Sequence, residues 1–210
     1  MRYDLEKTDR SVAYKLLAAS VVPRPIAWTV TQDREGRINA APFSFFNVMG
    51  SAPPIVALGI LGDAEKGFKD SARNIMETGE FVINLVPASL AEKMNVTSVD
   101  APAGLNELEL AGLKPATSTH VKPPRISESP VSFECVNHST VMTGLHQLLV
   151  VGRVLAIHIK DEFLIDAERG HVDTLKLDLV ARTFGSGFAR MAEPFEMVRP
   201  KWKTWKGDRS

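Results

Sequence analysis

The chain has no second cysteine to pair with Cys135, which excludes an internal disulfide. Cys135 sits in the alternating run Val131-Ser-Phe-Glu-Cys-Val, where a small buried hydrophobe is the plain reading. No apolar run approaches the roughly 20 residues of a membrane span, and the first residues are charged and polar, unlike a signal peptide. The expected location is therefore cytoplasmic, with no membrane partner. Neither sign of charge is in excess, because 25 Lys and Arg face 25 Asp and Glu. Without a net basic field, nucleic acid is not an expected partner.

Several catalytic signatures are also missing. There is no Walker phosphate loop, no His-Glu-x-x-His and no paired-cysteine motif. In Gly185-Ser-Gly-Phe-Ala-Arg190, an arginine stands where a dinucleotide fingerprint needs glycine or alanine, so a Rossmann site is rejected. The five histidines are scattered, and only His138 and His146 could meet, across a hairpin. Strand-end histidines near solvent are the ordinary reading, and no metal site is expected.

The composition, 44% hydrophobic and 24% charged, is that of one globular domain over 1–210, with a tail from about 194 carrying Trp202 and Trp205. A short helix is predicted over 11–19, capped by Ser11, and Val21 and Val22 open a first strand. Strands are predicted at 26–31, 38–47, 55–60, 81–86, 131–142, 148–159 and 175–180. The continuous apolar run 55–60 reads as a strand buried on both faces. Ser89 and Glu92 have the spacing of a capping box for a helix to about Asn95, and 107–112 reads as a helical turn ended by Gly112. Residues 181–188 read as a glycine-bearing loop. Many strands with few short helices point to a mainly β fold, a closed or partly closed barrel with helical inserts.

The stretch 24–54 organises this reading. Two apolar, aromatic-rich runs flank the polar segment 32–37, which contains Gly36, as in a hairpin that stops at Pro53-Pro54. Pro23 and Pro25 force an extended backbone at Arg24. Phe43, Phe45 and Phe46 lie among the small hydrogen-bonding residues Ser44 and Asn47, with Trp28 to Thr31 on the partner strand. Such a block is either ordinary core or the wall of a site for a flat heteroaromatic ligand. Lys69-Asp-Ser71 stands before a helix that ends at Gly79. Asp70 or Ser71 can cap that helix, or its free N–H groups can hold a phosphate with help from Lys69 and Ser71. Asn74, one turn on, can equally face solvent.

Taken in order, Arg24-Pro-Ile-Ala-Trp28, Asn39-x-Ala-Pro-Phe-Ser-Phe-Phe-Asn47, Pro53-Pro54 and Lys69-Asp-Ser-x-x-Asn74 resemble the flavin reductase-like family. Gly79-Glu-Phe-Val-Ile-Asn84 and Val121-Lys-Pro-Pro-Arg125 are similar to it as well. The resemblance implies an FMN-binding split β-barrel and a homodimer with FMN near the subunit boundary. It implies that Trp28, Thr29, Thr31, Ser44, Phe45, Phe46 and Asn47 line the flavin. It places Lys69, Asp70 and Ser71 at the phosphate with Asn74 nearby, and Arg24 at a phosphate or ribityl contact. The implied activity is an NAD(P)H-dependent flavin reductase, passing hydride from NADH or NADPH to flavin N5, with a monooxygenase or other redox protein as partner. The alternative is a flavoredoxin-like electron carrier whose permanent FMN is reduced by a protein. Three departures stand out: Ala52 precedes the proline pair where an acid is common, Ser71 replaces a threonine, and 182–188 lacks the usual Gly-Gly-x-x-Tyr ending.

Overall fold

The computed structural model describes residues 1–63, 65–102 and 104–202. Trp205 in the tail lies outside them. The first helix, α1 (Arg10–Ser20), is capped by Asp9 rather than Ser11. The Asp9 carboxylate accepts the N–H groups of Ser11 and Val12 at 2.8 and 3.4 Å, while the Ser11 hydroxyl donates to the same oxygen. Val21 and Val22 are exposed and outside any strand. The strand begins instead with β1 (Arg24–Pro25) and β2 (Ala27–Gln32).

The predicted strand 38–47 is two strands, β3 (Ile38–Phe43) and β4 (Phe45–Ser51), separated by Ser44 alone. Next come β5 (Pro54–Leu61), α2 (Asp70–Thr78) and β6 (Glu80–Asn84). Two short helices follow, α3 (Ala91–Val96) and α4 (Glu107–Leu110), then the two-residue strands β7 (Pro115–Ala116) and β8 (Arg125–Ile126). The long hairpin β9 (Val131–Gly144) and β10 (Gln147–Ile159) extends the predicted strands only at their turn ends, by two residues and one residue. β11 (Leu164–Asp166) pairs with β12 (His171–Val172), and β13 (Val180–Arg182) with β14 (Phe188–Arg190). The expected strand 175–180 thus starts only at Val180, and the expected loop 181–188 is most of a hairpin. Ser89 caps nothing: it lies in a short 3-10 turn that leads into α3.

The main sheet has seven antiparallel strands in the order β3-β2-β6-β9-β10-β5-β4. Its two edge strands, β3 and β4, are joined through one residue. A sheet whose outermost strands share a one-residue link must curl until its edges meet, so the sheet is a barrel split between β3 and β4. Phe43, Phe46, Leu58, Ile60, Phe81, Ile83 and Val150 fill its interior, and Ala72 and Ile75 of α2 pack against them. A second cluster on the outside of β2 and β6 joins Trp28 and Val82 to Met94 of α3 and Leu108 of α4. Gly152, where β10 is bulged, lies under Phe81; a Cβ there would come 2.5 Å from the ring.

β5 is not buried on both faces. Val56, Leu58 and Ile60 point inward, whereas Ile55, Ala57 and Gly59 are half-buried on the outside, beside Leu149 and Val151 of β10. With Met49 and Val141 exposed nearby, the outer face over β4, β5, β10 and β9 is largely apolar. The tail after β14 forms neither an α-helix nor a strand among the described residues, and Phe195, Met197, Val198 and Trp202 are exposed. No helix among the described residues is long and apolar enough to cross a membrane.

Candidate functional site

A cleft of about 430 Å³ opens at the split. Ser44, at the β3–β4 junction, and Phe45 form one wall; Lys69, Asp70 and Ser71 form the other. The phosphate motif and half of the aromatic motif therefore face one space. Gly59 shapes the first wall, since a Cβ there would press on Phe45 Cβ at 3.0 Å.

The second wall is the start of α2. Lys69 is its N-cap residue in extended conformation, and no side chain among the described residues caps the helix. Neither Asp70 nor Ser71 plays the expected capping part. The N–H groups of Ala72 and Arg73 go to the Lys69 carbonyl at 3.0 and 3.1 Å. Those of Asp70 and Ser71 have no hydrogen-bond partner among the described residues. An uncapped helix start carries unspent donors and the positive end of the helix dipole. The Ser71 hydroxyl accepts from Asn39 Nδ2 at 2.8 Å, which leaves its own proton for an acceptor in the cleft. The Asp70 carboxylate turns back to Arg73, so the residue presents its N–H rather than its charge. Gly79 ends the helix in the left-handed conformation, φ 72°.

Other predicted residues lie elsewhere. Trp28, Thr29 and Thr31 are fully buried and do not line the cleft, because β2 is an interior strand covered on both faces. Trp28 Nε1 donates to Thr97 Oγ1 at 2.8 Å, and the Thr29 hydroxyl donates to the Ala27 carbonyl at 3.3 Å. Asn74, far from solvent, donates to Thr31 Oγ1 at 3.0 Å and supports α2 from beneath. Phe46 points into the barrel, and Asn47 is exposed on β4, its side-chain Oδ1 accepting the Val48 N–H at 2.8 Å. Arg24 is buried as a tie: it donates to the carbonyls of Ala18, Val21 and Thr183 and, at 3.4 Å, to Ser44 Oγ. Its guanidinium lies 5.8 Å from the Phe45 ring centre. His146 packs edge-on against Phe68 in the β9–β10 turn, while His138 lies along β9, so the hairpin does not bring the two together.

Tyr14, Phe68 and Glu107 are among the cleft residues that escaped the sequence reading. Tyr14 of α1 stands over Phe45, ring centres 6.2 Å apart. Phe68 lines the loop before α2. Glu107, at the start of α4, is 7% exposed and accepts the Ala40 N–H at 2.9 Å. Burial raises the Glu107 carboxyl above the usual range, and the Asp70 carboxylate adds to this, against the pull of the Ala40 and Glu107 N–H groups. A carboxylate that reaches a strand edge from a four-residue helix leaves no mark in local sequence.

Residues 19–175 match the family described as flavin reductase like domain. An uncharacterized protein of Deinococcus radiodurans is 40% identical over 209 residues, 97% of this chain and 92% of its own length. Among solved structures, nitrilotriacetate monooxygenase component B from Bacillus cereus superposes with a TM-score of 0.89 at 30% identity, covering 94% of this chain and 98% of that one. The 2-nitrobenzoate 2-nitroreductase of Pseudomonas fluorescens gives 0.87 at 28% identity, covering 99% and 100%. A flavin reductase with a split barrel domain from Shewanella frigidimarina shares the fold, with a TM-score of 0.81 at 20% identity over 95% and 100% of the two chains.

Proposed function

The chain belongs to the flavin reductase-like family, and from that premise we propose that it is an FMN-binding oxidoreductase reduced by NADH or NADPH. The observation that carries this reading is the uncapped start of α2 facing Phe45 across one cleft. FMN is a flat ring joined by a flexible chain to a phosphate, and those two surfaces suit its two ends. Lys69, the N–H groups of Asp70 and Ser71, and the Ser71 hydroxyl would hold the phosphate. Phe45 and Ser44 would meet the ring, with Tyr14 screening it from water. When bound, the flavin would supply the two-electron redox chemistry, with NADH or NADPH as the hydride donor. The protein's part is to hold both partners in reacting geometry, which needs no acid–base triad.

The apolar outer face over β4, β5 and β10 is the surface we assign to a homodimer contact. Component B of nitrilotriacetate monooxygenase, as a neighbour, supports delivery of reduced flavin to a monooxygenase. The nitroreductase neighbour favours a second reading, in which FMN stays bound and passes electrons directly to a substrate or redox protein. Anaerobic addition of NADH or NADPH to flavin-loaded protein tests the activity. Rapid loss of the oxidised flavin absorbance without any other protein is the expected result. Reduction only in the presence of a redox protein would overturn direct NAD(P)H dependence.

A further inference from the structure

Beyond Tyr14, Phe43 and Ser44, which it shares with the first cleft, lies a second cavity of about 660 Å³. The two spaces differ in charge. Asp63, Asp100 and Glu107 line the first alongside its cations, whereas the second is lined by Lys15, Arg24 and Arg182 with no carboxylate among the described residues. Arg24 is committed to four oxygen acceptors. Lys15 and Arg182 form no ion pair among the described residues.

Arg182 is also held in place. It lies in β13 with its guanidinium 4.6 Å from the centre of the Phe188 ring, and Nη2 donates to the Gly185 carbonyl. Its remaining N–H groups have no partner among the described residues. The turn between β13 and β14 carries Phe184, 55% exposed, and Phe188 is 38% exposed. The lobe thus sets two partly exposed aromatic side chains beside two cations that form no ion pair among the described residues. This is the chemistry that recognises a phosphate joined to an aromatic base: a planar guanidinium on the phosphate oxygens and rings on the base.

We propose that this second cavity takes the adenosine diphosphate half of the nicotinamide donor. Arg182 and Lys15 meet its phosphates, and Phe184 or Phe188 stacks on the adenine. The shared wall at Tyr14, Phe43 and Ser44 lets one long ligand run from this lobe into the first cleft, so its other end reaches the flavin. The assignment rests on the reading that FMN occupies the first cleft. It gives the hairpin 180–190 a role.

The test uses the flavin-loaded full chain and ADP-ribose, which has the phosphates and adenine but no nicotinamide. Calorimetry should show ADP-ribose binding, and kinetics should show it competing with NAD(P)H. Arg182→Ala and Lys15→Ala should each weaken ADP-ribose about ten-fold or more and raise KM for the donor by a similar factor. Arg182→Lys should restore part of the loss, and FMN affinity should hold in every variant. Unchanged ADP-ribose binding in the Lys15→Ala, Arg182→Ala double variant would overturn the proposal. So would a second equivalent of FMN that displaces ADP-ribose from the lobe. Lys15 lies on the exposed side of α1, so its variant tests the site even if Arg182→Ala fails to fold. Wild-type protein that binds ADP-ribose but not FMN would refute the flavin reading and leave this lobe standing.

Discussion

At the scale of single residues, burial separates the side chains that line the cleft from those that only build it. Thr31, Asn39, Ser71 and Asn74 form one hydrogen-bonded group beneath α2, yet Ser71 alone of the four offers a hydroxyl to the cleft. Glu107 is the residue whose chemistry is easiest to isolate. Its folded carboxyl is raised, so the folded state holds a proton more tightly than the unfolded chain. Its contribution to stability therefore falls as pH rises above the ordinary carboxylate range. Glu107→Gln keeps an oxygen for the Ala40 N–H and removes a charge from the cleft. It should leave the urea midpoint at neutral pH equal or higher and tighten FMN. Glu107→Ala strands the Ala40 N–H and should cost about 1–3 kcal/mol. Equal destabilisation by both substitutions would contradict this account. Nothing near Glu107 in the sequence announces the contact, because its partner lies 67 positions away. Ser71 and Lys69 were legible because helix starts have a local signature.

Between elements, one buried carboxylate holds the first part of the irregular segment 117–124 between β7 and β8, while Glu80 accepts the Lys122 N–H further on at 2.8 Å. Glu134 of β9, fully buried, accepts the N–H groups of Thr119 and His120 at 2.8 and 2.5 Å and the Thr119 hydroxyl at 3.0 Å. It also faces His158 Nε2 of β10 at 2.5 Å. Burial alone would raise this carboxyl, but the four hydrogen bonds outweigh it and hold the value at about 2. A lowered folded value gives stability that is present above the unfolded carboxylate range and lost as pH falls towards 2. Urea midpoints should therefore drop between about pH 4.5 and 2, and Glu134→Gln should flatten that drop while lowering stability at pH 7. An identical pH profile for the variant would sink the assignment. Strand identity was readable wherever apolar residues alternated, as in β9 and β10. The break at Ser44 was not, because 38–47 is continuously strand-like and only closure of the barrel sends its second half to the far edge. The same closure buries β2 on both faces. That is why Trp28, Thr29 and Thr31, which the family resemblance placed against the flavin, lie in the core instead.

For the molecule as a whole, the split between β3 and β4 creates the cleft, and the chain places an aromatic wall and a helix start on its two sides. The order of short motifs from Arg24 to Asn74 was enough to read the barrel and to point to the start of α2 as the candidate phosphate site. The second, cationic lobe was not readable, because Lys15 and Arg182, far apart in sequence, line one cavity only once α1 and the hairpin 180–190 are both tied to Arg24. The central claim is that this split holds a phosphorylated flavin by the start of α2. Comparing FMN with riboflavin, which lacks only the phosphate, measures that most directly. FMN should bind about 100-fold or more tightly than riboflavin, and Lys69→Ala with Ser71→Ala should erase most of that gap while leaving riboflavin affinity unchanged. Equal affinity for the two flavins in the wild-type protein, or a gap that survives the double substitution, would contradict it.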